Sequence, residues 1–220
     1  MMMPSMSECV CCFDLDDTLY KEIDFLKSAY REIASSVGRA DIAAQMVTWY
    51  DEGKNVFESL NEYLGKDTPL ATYLDIYRNH QPEIALSEGV EEVLNGLKNK
   101  GVILGLVTDG RNNSQRNKIK ALGLERWFEE RNIIISEEFG SEKTDKRNFT
   151  YFMEKYPGRS YCYVGDNTKK DFLAPTGLGW NTVCLLDDGR NIHKQDFTLP
   201  VEYLPQRKIK DITELLEIID

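Results

Sequence analysis

Four places in this 220-residue chain gather side chains able to do chemistry. They are Asp14-Leu15-Asp16-Asp17-Thr18, Thr108-Asp109-Gly110, Lys143, and Gly165-Asp166 followed by Asp171. Together they offer several carboxylates, a hydroxyl and one amine. Carboxylates converging without matching cations repel one another, so their meeting calls for a divalent metal. Oxygen ligands alone favour Mg²⁺, which keeps several waters and binds one or two carboxylates plus a substrate phosphate. A threonine hydroxyl, a lysine ammonium and strand-end backbone N–H groups are what phosphoryl oxygens require. Two aspartates at i and i+2 on an irregular strand end can divide the labour. One is ionised, as nucleophile and metal ligand, while the other exchanges a proton with the leaving group. A single strand-end aspartate such as Asp109 or Asp171 is ordinarily a loop cap. Four such elements in this order are not explained that way.

The elements that must position these residues are short apolar runs. Cys9–Leu15, Val102–Val107, Tyr161–Val164 and Thr182–Leu186 are nearly continuous in hydrophobicity, as strands covered on both faces are, with a weaker fifth at Asn132–Ile135. Helical patterns lie between them: Val90–Lys100, Ser114–Leu122 stopped by Gly123, Phe149–Tyr156 and Ile212–Ile219. Strand–helix alternation implies a doubly wound, Rossmann-like α/β parallel sheet, whose sites form at the carboxyl ends of strands. From Lys21 to Gln81 the alternation breaks. Phe25–Val37, Asp41–Trp49, Val56–Leu64 and Pro69–Arg78 read as helices separated by Gly38, Gly53 and Gly65. The expected organisation is a core of residues 1–20 and 82–220 with an all-helical insert at 21–81.

Composition narrows the function classes. Hydrophobic residues are 41% and charged residues 29%, an ordinary globular balance. Twenty-seven Lys and Arg against 37 Asp and Glu give a net charge of −10, a poor surface for tracking a nucleic-acid backbone. No apolar stretch approaches the ~20 residues of a membrane span, and Met1–Ser7 lacks the basic and apolar regions of a secretory signal. A cytoplasmic protein with no membrane partner is expected. The five cysteines do not suit a disulfide framework, and the C-x-x-C spacing of Cys9–Cys12 lies in a strand-like run where thiols act as core hydrophobes.

These segments resemble the haloacid dehalogenase superfamily of phosphohydrolases. Phe13-Asp14-Leu15-Asp16-Asp17-Thr18-Leu19 matches its D-x-D-x-T motif and Leu106-Val107-Thr108-Asp109-Gly110 the second. Lys143-Thr144-Asp145 with Phe149 is similar to the third, and Gly165-Asp166 through Asp171 to the fourth. The resemblance covers about Cys9–Leu186, with a closing strand and helix expected within Val201–Ile219. It implies a Mg²⁺-dependent phosphatase acting on a small phosphorylated metabolite, a sugar phosphate or a nucleoside monophosphate. Asp14 would attack phosphorus and form an aspartyl-phosphate, and Asp16 would serve as acid and then base. Asp14, Asp166 and Asp16, the last through its backbone carbonyl, would hold the metal, and Asp171 would support it. Thr108, Asp109 and Lys143 would surround the phosphoryl group. Burial under a closing helical cap should raise Asp16, and metal contact should keep Asp14 low.

The third motif lacks both common prolines, which leaves Lys120 and Lys146 as alternatives to Lys143. Arg78 and His80 at the return of the insert, with Arg111 and Gln115 after the second motif, are candidate specificity residues. The aromatics Tyr30, Trp49, Tyr50, Phe57, Tyr63 and Tyr73 suit the insert's core or a substrate pocket, whereas His193 reads as solvated. Dehalogenation needs neither Asp16 nor a metal, and phosphonate hydrolysis needs a Schiff-base lysine in the insert, where Lys21, Lys27, Lys54 and Lys66 read as surface. A sugar phosphomutase shares all four motifs. A non-catalytic regulatory protein of this fold would ordinarily lack the nucleophile or acid. A monomer or homodimer is expected.

Overall fold

The computed structural model describes residues 9–219, and the reading of Met1–Ser7 lies outside them. Six strands form one sheet: β1 (Cys9–Phe13), β2 (Ile103–Thr108), β3 (Ile133–Ile135), β4 (Ser160–Gly165), β5 (Asn181–Leu185) and β6 (Arg207–Ile209). Their order is β3-β2-β1-β4-β5-β6 and every neighbouring pair is parallel. The helices are α1 (Glu22–Ser36), α2 (Ala43–Asp51), α3 (Val56–Leu64), α4 (Leu70–Asn79), α5 (Val90–Asn99), α6 (Asn112–Ala121), α7 (Ser136–Phe139), α8 (Arg147–Lys155), α9 (Leu173–Thr176) and α10 (Leu215–Ile218). Among the described residues no helix is long and apolar enough to cross a membrane.

Side chains alternate across a strand, so β1 feeds two cores. Cys9, Cys11 and Phe13 pack with Val93, Leu94 and Leu97 of α5 and Ile119 of α6. Val10 and Cys12 pack on the opposite face with Phe149 and Phe152 of α8 and with Trp180. All five thiols are buried and free, which accounts for the cysteine-rich first strand as core packing.

Helices α1–α4 close on a third cluster of their own, built from Leu26, Tyr30, Ile33, Met46, Trp49, Leu60 and Tyr73. Asn55 caps α3 by accepting the Phe57 and Glu58 N–H groups, and Gly65 ends it in the left-handed region at φ 59°. Of the six aromatics expected inside, Tyr63 instead stays 52% exposed and carries the Arg39 guanidinium 5.4 Å from its ring centre. The segment is tied to the rest through backbone carbonyls at the end of α4. Ser114 Oγ donates to Arg78 O at 2.8 Å and Asn117 Nδ2 to His80 O at 3.0 Å.

The register decides where the chemistry emerges. Phe13 lies opposite both Leu106 of β2 and Val164 of β4, so Asp14, Thr108 and Asp166 leave the sheet at one edge. The chain proceeds from β1 outward to β2 and β3, then crosses back to β4 on the other side of β1. A parallel sheet opens a crevice where its order reverses in this way.

Candidate active site

Asp14 stands at that crevice, 3% exposed, its N–H donating to Val164 O at 2.8 Å. Its Oδ1 accepts the Leu15 N–H at 2.6 Å and contacts the Lys143 ammonium. Lys143 Nζ also donates to Asp171 Oδ1 at 2.9 Å, while Asp171 Oδ2 accepts the N–H groups of Asp166 and Asn167 at 3.0 and 2.7 Å. Gly165 is required there, because a Cβ would sit 2.5 Å from Asp171 Oδ2. Asp166 Oδ2 accepts from Asn191 Nδ2 at 2.9 Å, and Lys21 Nζ holds Asn191 Oδ1 at 2.8 Å.

Of the three candidate lysines the structure brings Lys143 to Asp14, whereas Lys120 is exposed and Lys146 Nζ donates to Gly177 O at 3.5 Å. Side-chain bonds replace the missing prolines of its loop. Asn148 Nδ2 donates to Ser141 O and Glu142 O, and Asp109 Oδ1 accepts the Lys143 N–H at 3.0 Å.

Asp14, Asp166 and Asp171 bring carboxylate oxygens within 4.8 Å of one another against one ammonium. Burial raises Asp14 well above the usual carboxylate range, Lys143 pulls against it, and Asp171 and Asp16 add repulsion. Burial first, then Asp171 and Asp14, push Asp166 up to about 10. Burial works against the Lys143 ammonium too, but Asp14 and Asp171 outweigh it and hold the amine charged. The cluster is short of positive charge and offers only hard oxygen donors. Those are the terms on which a Mg²⁺-like cation fits. Asp14 and Asp166 would hold it, because each keeps a second oxygen beyond the bonds described. Both oxygens of Asp171 are engaged, which suits the supporting part expected of it.

Asp16 faces elsewhere. Its Oδ1 accepts Lys118 Nζ at 2.7 Å and Tyr20 Oη at 2.5 Å, and its Oδ2 accepts Gln115 Nε2 at 2.9 Å. Lys118 is buried with its ammonium 4.4 Å from the Phe25 ring centre. Burial alone would raise Asp16, but Lys118 and the hydrogen bonds from Lys118, Tyr20 and Gln115 hold it below the usual range. With the protein's own groups alone, Asp16 is held low, where burial was expected to raise it, and Asp14 is raised. The reason is that the cation beside Asp16 comes from α6, whereas the acids beside Asp14 outnumber its cation.

Lys118 and Tyr20 were not legible as site residues in the sequence. The available signal was spacing: Gln115 and Lys118 lie at i and i+3 on α6 and therefore share a face. Gln115 Nε2 also donates to Thr108 Oγ1 at 2.5 Å and Asp109 O at 3.0 Å, so it links the second motif to Asp16.

A cavity of about 110 Å³ opens among these groups, lined by Asp14, Asp16, Asp17, Glu22, Asp109, Lys143, Asp166, Asn167, Lys170 and His193. The other expected residues fall in and around it as follows. The Asp109 side chain lines the cavity with both oxygens already engaged, Oδ1 by the Lys143 N–H at 3.0 Å and Oδ2 by Lys170 Nζ at 3.1 Å. His193, though exposed, belongs to the cavity wall. Of the specificity candidates, only Gln115 touches site residues. Arg111 is exposed and pairs with Glu137 at 3.4 Å, and Arg78 does not line the cavity. His80 is buried against Phe25, with Nδ1 on Tyr77 O at 2.9 Å, and lines a separate hollow with Ser28, Arg31 and Glu83.

The family model of the haloacid dehalogenase-like hydrolases matches residues 11–185, from inside β1 to the end of β5. The chain belongs to that family. Glyceraldehyde 3-phosphate phosphatase of Methanocaldococcus jannaschii is 30% identical over 195 residues, 79% of this chain and 83% of that protein. Pyrimidine 5'-nucleotidase YjjG of Escherichia coli is 25% identical, covering 94% and 96% of the two chains. In fold, the chain is similar to the HAD-hydrolase YfnB of Bacillus subtilis solved bound to magnesium, with a TM-score of 0.71, 22% identity, and 97% and 99% coverage.

Proposed function

We propose that this hydrolase cleaves a small phosphomonoester through an aspartyl-phosphate on Asp14. The observation that carries the reading is the buried Asp14–Lys143–Asp171 contact beside Asp166, at the crevice of the sheet. Asp14 supplies the attacking oxygen, and Lys143 neutralises charge on the phosphoryl group while keeping Asp14 oriented. A Mg²⁺ ion held by Asp14 and Asp166 would supply the positive charge that the cluster lacks and bind a phosphoryl oxygen. Asp16, ionised in this structure, is in the state that takes a proton from the attacking water. Its acid role in the first half-reaction requires the Lys118 and Tyr20 contacts to loosen.

Helices α1–α4 are proposed as a cap, since they pack on their own core and place Glu22 at the cavity. The cavity, about 110 Å³, favours a sugar phosphate of a few carbons over a nucleoside monophosphate. The phosphatase named for the 30% identical relative supports that size class. The test is phosphate release across a panel of phosphomonoesters, with Mg²⁺ and with EDTA, and with Asp14→Asn as the blank. Turnover in EDTA, or turnover by the variant, would remove the reading.

A further inference from the structure

Resting on the phosphatase reading, we infer that the site selects phosphomonoesters whose leaving group is uncharged and hydroxyl-rich, that it rejects those bearing a carboxylate, and that Glu22 enforces the choice. Glu22 is the first residue of α1 and lines the cavity with Asp14 and Asp16. Its backbone N–H is anchored on Asp17 Oδ1 at 2.9 Å, which fixes where the side chain begins. The Glu22 carboxylate takes part in no hydrogen bond or ion pair described for the residues of this structure, unlike Asp14, Asp16 and Asp166. Burial and the charge of Asp16 push it up to about 8, the condition of a half-buried acid without a cation of its own.

The cations around the cavity are already committed. Lys143 holds Asp14 and Asp171, Lys118 holds Asp16, Lys170 holds Asp109, and Lys21 holds Asn191 and Asp188. A carboxylate on the leaving group would therefore meet Glu22 with no ammonium to spare. Above about pH 8, where Glu22 is ionised, the two carboxylates repel each other with no cation between them. A hydroxyl instead donates to Glu22 and gives it the partner it lacks. His193 at the mouth adds a ring that can bond a further hydroxyl.

The test is a matched pair, glycerol 3-phosphate against 3-phosphoglycerate, which differ in CH₂OH against carboxylate on one carbon skeleton. With Mg²⁺ at pH 9, where Glu22 is ionised, kcat/KM for glycerol 3-phosphate should exceed that for 3-phosphoglycerate by about 100-fold, the scale of a like-charge contact. Glu22→Gln should shrink that ratio by about tenfold, mainly by improving the carboxylated member. Glu22→Ala, checked by circular dichroism and thermal melting alongside Glu22→Gln, should shrink it in the same direction. Equal kcat/KM for the pair in the wild-type enzyme would show Lys170 released from Asp109 to serve the substrate, and would overturn the inference. So would a ratio unchanged by both variants. An aryl phosphate separates the two failures. Its hydrolysis with no discrimination within the pair sinks only the inference, while its survival intact, with both esters, sinks the phosphatase reading.

Discussion

Asp14 and Asp16 stand two positions apart in one turn, yet the fold gives them opposite electrostatics. The Asp14 side looks into the sheet crevice, where Asp166 and Asp171 arrive from β4 and its following loop with only Lys143 to oppose them. The Asp16 side looks toward α6, which delivers Lys118 and Gln115, and toward Tyr20. Asp17 follows directly and fixes the turn. It adopts φ 57°, rare for a residue with a side chain, and both its oxygens are used, by the Glu22 and Ile192 N–H groups. Protonation state here follows from which element packs over a carboxylate rather than from the motif that supplies it. One side has three carboxylates against a single ammonium, and the other carboxylate has an ammonium of its own.

The largest way to break the comparison is Asp14→Asn. Turnover should fall to background, about 10⁵-fold or more, with the fold kept because Lys143 still has Asp171. Steady-state phosphate release and circular dichroism check both halves, and measurable turnover would move the nucleophile elsewhere.

Asp16→Asn should cost about 10²–10⁴-fold with alkyl leaving groups and less with an activated aryl phosphate, whose departure needs little protonation. The aryl ester should then show a burst as the intermediate accumulates. A uniform loss without a burst would make Asp16 a structural anchor for Lys118.

Lys118→Met tests the Asp16 side alone. Removing one partner of a buried pair leaves an uncompensated carboxylate, so denaturant unfolding should show a loss of about 3 kcal/mol. A loss below about 1 kcal/mol would mean that Tyr20 and Gln115 suffice to hold Asp16.

The smallest effect sharpens the Asp14 side. Asp166 at about 10 and Glu22 at about 8 lie far above the ~4 of unfolded carboxyls. Between those values the folded chain binds more protons than the unfolded one, so stability of the metal-free protein falls as pH rises from about 5 to 9. Calorimetry should show this decline. Mg²⁺ at a fixed concentration of about ten times its pH 8.5 Kd should raise Tm by about 3–6 °C at pH 8.5, and by less at pH 6, where protons compete for the cluster. A Tm indifferent to Mg²⁺ would place the metal outside these aspartates.

Much of this molecule is local and could be read without coordinates. The strands around Cys9–Phe13, Ile103–Thr108 and Ser160–Gly165 announce themselves as apolar runs, because a strand covered on both faces must be apolar throughout. Asp14, Thr108 and Asp166 follow from reading what ends each strand, since parallel strands deliver their ends to one edge, and Lys143 from the region that comes before β4. The helical insert followed from the absence of strands between Lys21 and Gln81. Its outlier, Tyr63, needed the third dimension, because helical spacing alone does not say how far a face is covered.

What only the tertiary structure decided is partnership across the sequence. Lys118 meets Asp16 from 102 positions away, and Lys21 meets Asn191, which in turn holds Asp166, from 170. Arg78, His80 and Arg111 sit near the right elements but outside the cavity, whereas Gln115, Glu22 and His193 reach the site or its wall. Apolar periodicity specifies which face of an element is buried and a motif specifies which atoms leave a strand. Neither specifies which charges the folded chain will set against them, and Coulomb interactions depend on that distance in space rather than on separation along the chain.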